Sequence, residues 1–499
     1  MSTITDNEGL AVSGVTYQRA DDDYFDKRKL QRTAGVWGLW GIGVAAVISG
    51  DFSGWNFGIG TAGWGGFLVA AVIVVVMYVM MIESISEMAS AMPHTGGAYS
   101  FARAAMGPWG GFVTGLAETI EYVMTTAVVI FFSSQYADAI VAQLTGFSLI
   151  GQGLAWVWWL VLYAVFVALN TAGASVSFRF AVIVSILSVG ILLVFAVLAL
   201  ASGSADFASL WDIAPAAGGS TFLPFGVASI FFAMPFAMWL FLGIEELPLA
   251  AEEAHNPERD IPRAGRGGLA TLVVTGVIVM VLNPAVLGAE AAGSSGEPLL
   301  DAFAAIIPGN VAAILSAFAL IGLLASVQGI MFAYGRNMYS LSRAGYYPKF
   351  LSLTGKRQTP YLALAVGAVI GFISLFIVQY GGEAAGSVVL NIAVWGAVLS
   401  YLLQMTSFVI LRMKSPAAAR PHPSPFGVPG AVIAGVIALA IFVGVLLNPD
   451  YTAAIYTIVV VYIAALVLFA VFGRKRLVLS PEEEYALSGG LKDRAEELV

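Results

Sequence analysis

The chain has 499 residues, 59% hydrophobic and only 11% charged, with a formal net charge of −8 and no Cys. A soluble domain carries about 25% charge, so a soluble fold is excluded. The lack of Cys excludes disulfides and thiolate metal centres, and the scattered His94, His255 and His422 exclude a His-rich one.

Residues 1–33 carry Asp21-Asp22-Asp23 and no apolar stretch, which argues against a cleavable signal peptide. Apolar runs long enough to cross a bilayer then recur. In chain order the predicted spans are about 34–61, 66–90, 108–141, 155–171, 175–202, 224–251, 264–288, 309–341, 360–379, 386–411, 430–447 and 451–473. The third and eighth exceed bilayer length and are expected to tilt or to run past it. Trp156, Trp158 and Trp159, at the outer end of the fourth, read as interfacial anchors. The segment after 473 is short and charged, with Glu482-Glu483-Glu484 and Glu496-Glu497, and is expected to be helical in part.

Charge placement orients these spans. With the N-terminus in the cytoplasm, every basic residue falls on the inner side. Arg19, Lys27, Arg28, Lys29 and Arg32 precede the first span. Arg103, Arg179, Arg259, Arg263, Arg266, Arg336, Arg343, Lys349, Lys356, Arg357, Arg412, Lys414 and Arg420 lie in inner segments. Arg474, Lys475, Arg476, Lys492 and Arg494 follow the last. The outer loops hold acids only: Asp206, Asp212, Glu290, Glu297, Asp301, Glu383 and Asp450. The positive-inside rule then places both termini inside the plasma membrane with twelve crossings.

Two spans look broken. The first contains Ile48-Ser49-Gly50-Asp51-Phe52-Ser53-Gly54-Trp55-Asn56, with a carboxylate at mid-membrane depth among small residues. Such a charge marks a functional site by default, and unwound backbone at that depth is tolerated only where it lines a protein cavity. The sixth contains Pro235, Gly243, Glu245 and Glu246. Breaks five spans apart predict two five-helix halves of opposite orientation with a solute between them, the inverted-repeat plan of secondary carriers. The expected organisation is an all-α polytopic membrane protein: a cytoplasmic tail at 1–33, repeats at 34–202 and 224–411, spans eleven and twelve at 430–473, and a cytoplasmic tail at 474–499.

Gly41-Ile42-Gly43, then Glu87 with Pro93-His94-Thr95-Gly96-Gly97-Ala98-Tyr99, then Gly243-Ile244-Glu245 with Glu253 through Arg263, resembles the amino acid–polyamine–organocation superfamily over about residues 34–475. Ile48-Ser49-Gly50-Asp51, Gly54-Trp55-Asn56, the run from Pro93 to Arg103, and Gly115 through Tyr122 most resemble its ethanolamine permeases. The resemblance implies a gradient- or ion-driven carrier. In the superfamily's amino acid carriers the first break is a Gly-Ser-Gly-like run whose free N–H groups take the substrate carboxylate. Here Asp51 stands in that run and would repel a carboxylate. The departure points to a solute with an ammonium and no carboxylate, ethanolamine or a similar small amine. An ordinary amino acid permease is the alternative.

The expected substrate contacts are Ser49, Gly50 and Asp51 at the first break, Glu121 on the third span, and Trp239, Phe236, Phe241 and Gly243 at the sixth. By resemblance Trp239 covers the solute, and an aromatic face also favours an ammonium. Glu118 and Glu121 lie three apart and share a helix face. Glu118 and Glu245 are the proton or gating candidates, with a purely structural role as the other reading of each. Glu83 and Glu87 are expected to pair with basic inner loops, and Glu252, Glu253, Arg259, Asp260 and Arg263 to form an inner ion-pair network.

Some proton-linked members of the superfamily carry a Lys in the fifth span, where Ser185 and Ser188 stand here. Ser326 is the available hydroxyl for a sodium site, so sodium and proton coupling both stay open. The expected partners are the bilayer and a small amine. No nucleic acid, cofactor or resident metal is expected, and the oligomeric state is undetermined. The enzyme reading fails on motif: an intramembrane aspartyl protease needs Gly-x-Gly-Asp where the chain has Ile48-Ser49-Gly50-Asp51, and no His-Glu-x-x-His occurs. No repeated pore filter or soluble sensing domain supports a channel or receptor.

Overall fold

The computed structural model describes residues 10–12, 14–18, 20–21, 23–307, 310–380, 385–416, 418–448 and 452–489. Arg19, Asp22, Glu383, Asp450, Lys492, Arg494, Glu496 and Glu497, all used in the reading of charge and tail, lie outside the described residues. Ten of the described helices are long and apolar enough to cross a membrane, and two shorter apolar helices accompany them at Val36–Asp51 and Ala155–Thr171. The protein is a multi-pass membrane protein.

The first span starts as α1 (Val36–Val47), tightens into a 3-10 turn at Ile48–Asp51, and loses helical form before α2 (Phe57–Ala91). The predicted first and second spans therefore do not end where expected: the outer part of the first runs into the second as one bent helix. The bend is at Gly63, φ 72°, a conformation side chains disfavour. α3 (Gly97–Thr145) likewise begins eleven residues before Pro108 and turns at Gly107, φ 78°, so a short helix joins the third span. Its length is a bend, not only tilt.

Next come α4 (Ala155–Thr171), α5 (Ala174–Ala201) and α6 (Ala228–Trp239). α6 gives way through Gly243 to a 3-10 segment at Ile244–Glu253. α7 (Pro257–Leu287) follows, then two short helices that the sequence reading did not foresee, α8 (Ala289–Ser294) and α9 (Pro298–Ile306). The chain continues through α10 (Asn310–Arg343), α11 (Tyr361–Tyr380), α12 (Ala385–Lys414), α13 (Gly427–Leu447) and α14 (Thr452–Val471). α3 lies between α10 and α12 and packs on both, whereas α14 turns most of its surface outward.

The two tails fold onto the bundle. Strand β1 (Leu10–Val12) pairs antiparallel with β2 (Val15–Gln18), which pairs in parallel with β3 (Leu477–Val478). A last helix, α15 (Pro481–Ser488), lies against α3. Glu83 pairs with Arg266 at 2.5 Å, and Glu87 with Arg412 at 2.6 Å and Arg420 at 3.0 Å, as expected of basic inner loops. The inner ion-pair network has other cations than those expected. Glu253 is held by Arg336 at 2.8 Å and Glu252 by Arg343 at 2.5 Å, both from α10. Among the described residues Arg259 and Arg263 take no part, because α7 turns both outward to solvent.

Trp159 is not an interfacial anchor. It is fully buried, and its Nε1 donates to Ser134 Oγ at 3.1 Å. Trp158 donates to Asp138 Oδ1 at 3.0 Å, which ties α4 to the outer end of α3.

Candidate functional site

Unwound backbone inside a bundle survives only if its polar groups find partners. At the first break they come from neighbouring helices. Ser326 on α10 accepts from Ser49 N at 2.9 Å and donates to Ala45 O at 2.6 Å. Tyr136 on α3 donates to Phe52 O at 2.9 Å, and Trp239 on α6 donates to Ser53 O at 3.0 Å. Asn56 accepts from Gly54 N at 3.1 Å and donates to Ala292 O and Ser295 O, each at 2.8 Å.

The two breaks touch. A Cβ on Gly50 would overlap the carbonyl oxygen of Trp239, so the first break crosses the end of α6 at a residue without a side chain. Gly243, φ 114°, starts the turn after α6, and its N–H donates to Glu245 Oε2 at 3.0 Å. Ser49, Gly50, Trp239 and Gly243 therefore occupy one crossing. Phe236 and Phe241 flank it, Phe236 against Phe57 at 6.2 Å and Phe241 against Tyr78 at 5.4 Å between ring centroids.

The acids are sorted by their partners. Glu118 is saturated: Asn337 donates to it at 2.9 Å and Tyr122 at 3.3 Å. Glu121 approaches Glu245 carboxyl to carboxyl and receives the Tyr401 hydroxyl at 3.4 Å. Tyr401 in turn meets Tyr78 at 3.1 Å. Asp51 lies apart from this group, toward Thr275 and Gly276 of α7. Thr275 faces it but donates instead to Thr271 O and Leu272 O, both at 3.2 Å.

The outcome is a shortage of donors. Among the described residues, both oxygens of Asp51, Oε2 of Glu121, Oε1 of Glu245 and both oxygens of Glu246 are buried without a hydrogen-bond partner. The cation closest in sequence to Asn337, Arg336, is already fully buried on Glu253. Such an interior can take up hydrogen-bond donors and positive charge, and it opposes a second carboxylate.

Sequence reasoning passed over several members of this group. Glu246 follows directly in the Gly243-Ile244-Glu245 run, and that adjacency was the available signal. Asn337, Tyr78 and Tyr401 carried none, since a single polar residue in an apolar helix does not show which helix it faces.

A family model described as "Amino acid permease" matches residues 38–479. The chain belongs to that family. This permease is 27% identical over 393 residues to "Uncharacterized transporter R00093" of Rhizobium meliloti (strain 1021), covering 78% of this chain and 81% of that protein. It is 24% identical over 471 residues to "Branched-chain amino acid permease BcaP" of Bacillus subtilis (strain 168), covering 91% and 96%. It is 25% identical over 381 residues to "Gamma-aminobutyric acid permease" of Escherichia coli (strain K12), covering 74% and 78%. Family membership makes the permease a transporter of small molecules across the membrane.

Proposed function

We propose that this permease imports a small protonated amine, with ethanolamine as the substrate, by alternating access. One observation carries the reading: six carboxyl oxygens at the two breaks and on α3 are buried without donors. An ammonium supplies three donors and a positive charge, and ethanolamine adds a hydroxyl. A zwitterionic amino acid would also bring a carboxylate into a site already rich in them.

In this reading Asp51 and Glu121 receive the cation from two sides of the crossing, while Trp239, Phe236 and Phe241 wall it. Glu118, already saturated, holds α3 to α10. Glu121 and Glu245, whose carboxyls lie close together, are the coupling element, because an arriving cation changes how many protons the pair holds. Sodium is the weaker driver, because the Ser326 hydroxyl is already engaged on both Ala45 O and Ser49 N. Both termini face the cytoplasm, and residues 34–202 and 224–411 form the inverted repeats that rock about the crossing.

The second reading is an amino acid permease or exchanger, and the names of the relatives favour it. Thermal stabilisation of the purified protein by ethanolamine, alanine and arginine, with and without sodium, separates the two. Stabilisation by ethanolamine alone supports the amine reading. Stabilisation by alanine or arginine without ethanolamine refutes it, and a sodium requirement refutes the proton assignment.

A further inference from the structure

A cleft of about 730 Å³ opens where α14 ends, bounded by Gln18, the α10–α11 connection and α3. Its floor is a stack of rings. Phe112 lies on Phe469 at 4.4 Å and 10°, and Tyr346 on Phe469 at 5.4 Å and 18°. Its rim is basic. Lys349 Nζ donates to the neutral Gln18 Oε1 at 3.1 Å and lies over the Tyr24 ring at 5.8 Å, and Arg476 lies over Phe472 at 5.9 Å. Among the described residues neither is ion-paired. Burial pushes the Lys349 ammonium down and Arg28 adds to this, Asp21 opposes them, and Arg476 adds least in the same downward sense. The cations here repel one another, so an anion between them relieves both.

The wall beside that rim is apolar and faces outward: Leu468 is 59% exposed and Phe472 52%. A free anion would use the rim alone. An acyl chain would use the wall, which runs on along the outward face of α14 into the bilayer. Basic pockets at helix ends with such a wall suit acidic lipid headgroups.

We propose that this cleft binds an anionic phospholipid, with its phosphate between Lys349 and Arg476 and an acyl chain along Leu468, Phe469 and Phe472. The bound lipid covers Tyr346, whose hydroxyl donates to Glu483 at 3.0 Å, and so backs the packing of α15 against the bundle.

The test uses the full chain in neutral detergent, titrated separately with phosphatidylglycerol, phosphatidylcholine and inorganic phosphate, with thermal midpoint and native mass spectrometry as readouts. Two cations near an anionic headgroup predict about thirtyfold tighter binding of phosphatidylglycerol than of phosphatidylcholine. Lys349→Gln with Arg476→Gln removes that preference, whereas Arg474→Gln with Lys475→Gln, beside the cleft but outside its lining, retains it. Equal binding of both lipids, or a preference that survives loss of Lys349 and Arg476, overturns the proposal. Stabilisation by inorganic phosphate equal to that by phosphatidylglycerol overturns the lipid in favour of a free anion. Should the double variant fail to fold, a photoactivatable phosphatidylglycerol on the wild-type protein decides: crosslinks at residues 465–473 support the site, and crosslinks confined elsewhere overturn it.

Discussion

Glu483 Oε2, on α15, receives Arg103 Nε of α3 at 2.6 Å, with both side chains buried. The same carboxylate accepts the hydroxyls of Tyr17 and Tyr99 at 2.6 Å each and of Tyr346 at 3.0 Å. One glutamate thus gathers the N-terminal strand, the start of α3 and the end of α10. Removing one partner of a buried ion pair strands the other, at about 3–5 kcal/mol. Glu483→Ala is therefore expected to lower the thermal midpoint and to expose residues 477–489 to protease. An unchanged midpoint with the tail still protected would contradict this account of the inner face.

Glu482, next to it, makes the inner face sensitive to acid. Burial pushes its carboxyl up, but the Arg343 guanidinium at 2.6 Å, helped by His94 and Ser480, overrides this and holds it at about 2 against an ordinary 4.5. The folded state then binds fewer protons than the unfolded one between those values. The stabilisation, on the order of 3 kcal/mol, is complete above about pH 4.5 and disappears as pH falls toward 2. Glu482→Gln is expected to lie below wild type in thermal midpoint at pH 7, the gap narrowing below about pH 4.5 and closing near pH 2. Parallel curves over that range would sink the assignment.

The membrane class, most of the apolar helices and the two breaks were legible because hydropathy and small-residue runs are local signals. Asp51 and the Pro235–Gly243 stretch needed only the expectation that a charge or a helix breaker in an apolar span has a cause. Partners were not legible. The sequence reading put Glu252 and Glu253 with Arg259 and Arg263, their neighbours in the chain, whereas α10 supplies Arg343 and Arg336 from 83 to 91 residues away. Trp159 failed for the same reason: its burial depends on which face of α4 meets α3. The buried tail was hidden by its own composition, since Glu482-Glu483-Glu484 reads as a solvated run until Arg103 and Arg343 are seen beneath it.

Trp239 has two roles that substitution can separate. Its Nε1 closes the first break on Ser53 O, and its ring lies against Gly54. Trp239→Phe keeps an aromatic face but orphans the Ser53 carbonyl, a cost of about 1–3 kcal/mol. The thermal midpoint without ligand is expected to fall, and ethanolamine affinity to weaken only severalfold. Loss of binding at an unchanged midpoint would mean that the indole acts on the solute and not on the break.

Gly50→Ala tests the crossing itself. The added methyl would meet the Trp239 carbonyl oxygen, which is backbone and cannot turn aside. Overpacking of this kind costs about 1–3 kcal/mol and displaces one break from the other. Uptake is expected to fall at least tenfold while the protein still elutes as a single species on size exclusion. Near-normal uptake would show that the two breaks need not stay in contact.

Asp51→Asn separates binding from stability in the opposite sense. The Asp51 side chain is 1% exposed and, among the described residues, neither oxygen has a donor, so in the ligand-free protein it is a buried polar group without compensation. Replacing it with a neutral side chain of the same shape removes that cost, and the thermal midpoint is expected to hold or rise. A bound ammonium loses its charged partner, which at about 3 kcal/mol for a buried pair weakens ethanolamine at least 100-fold. Isothermal titration of the variant alongside its melting curve reads both. A variant that melts lower and still binds ethanolamine normally would show that Asp51 is a structural acid after all, leaving cation recognition to Glu121, Glu245 and Glu246.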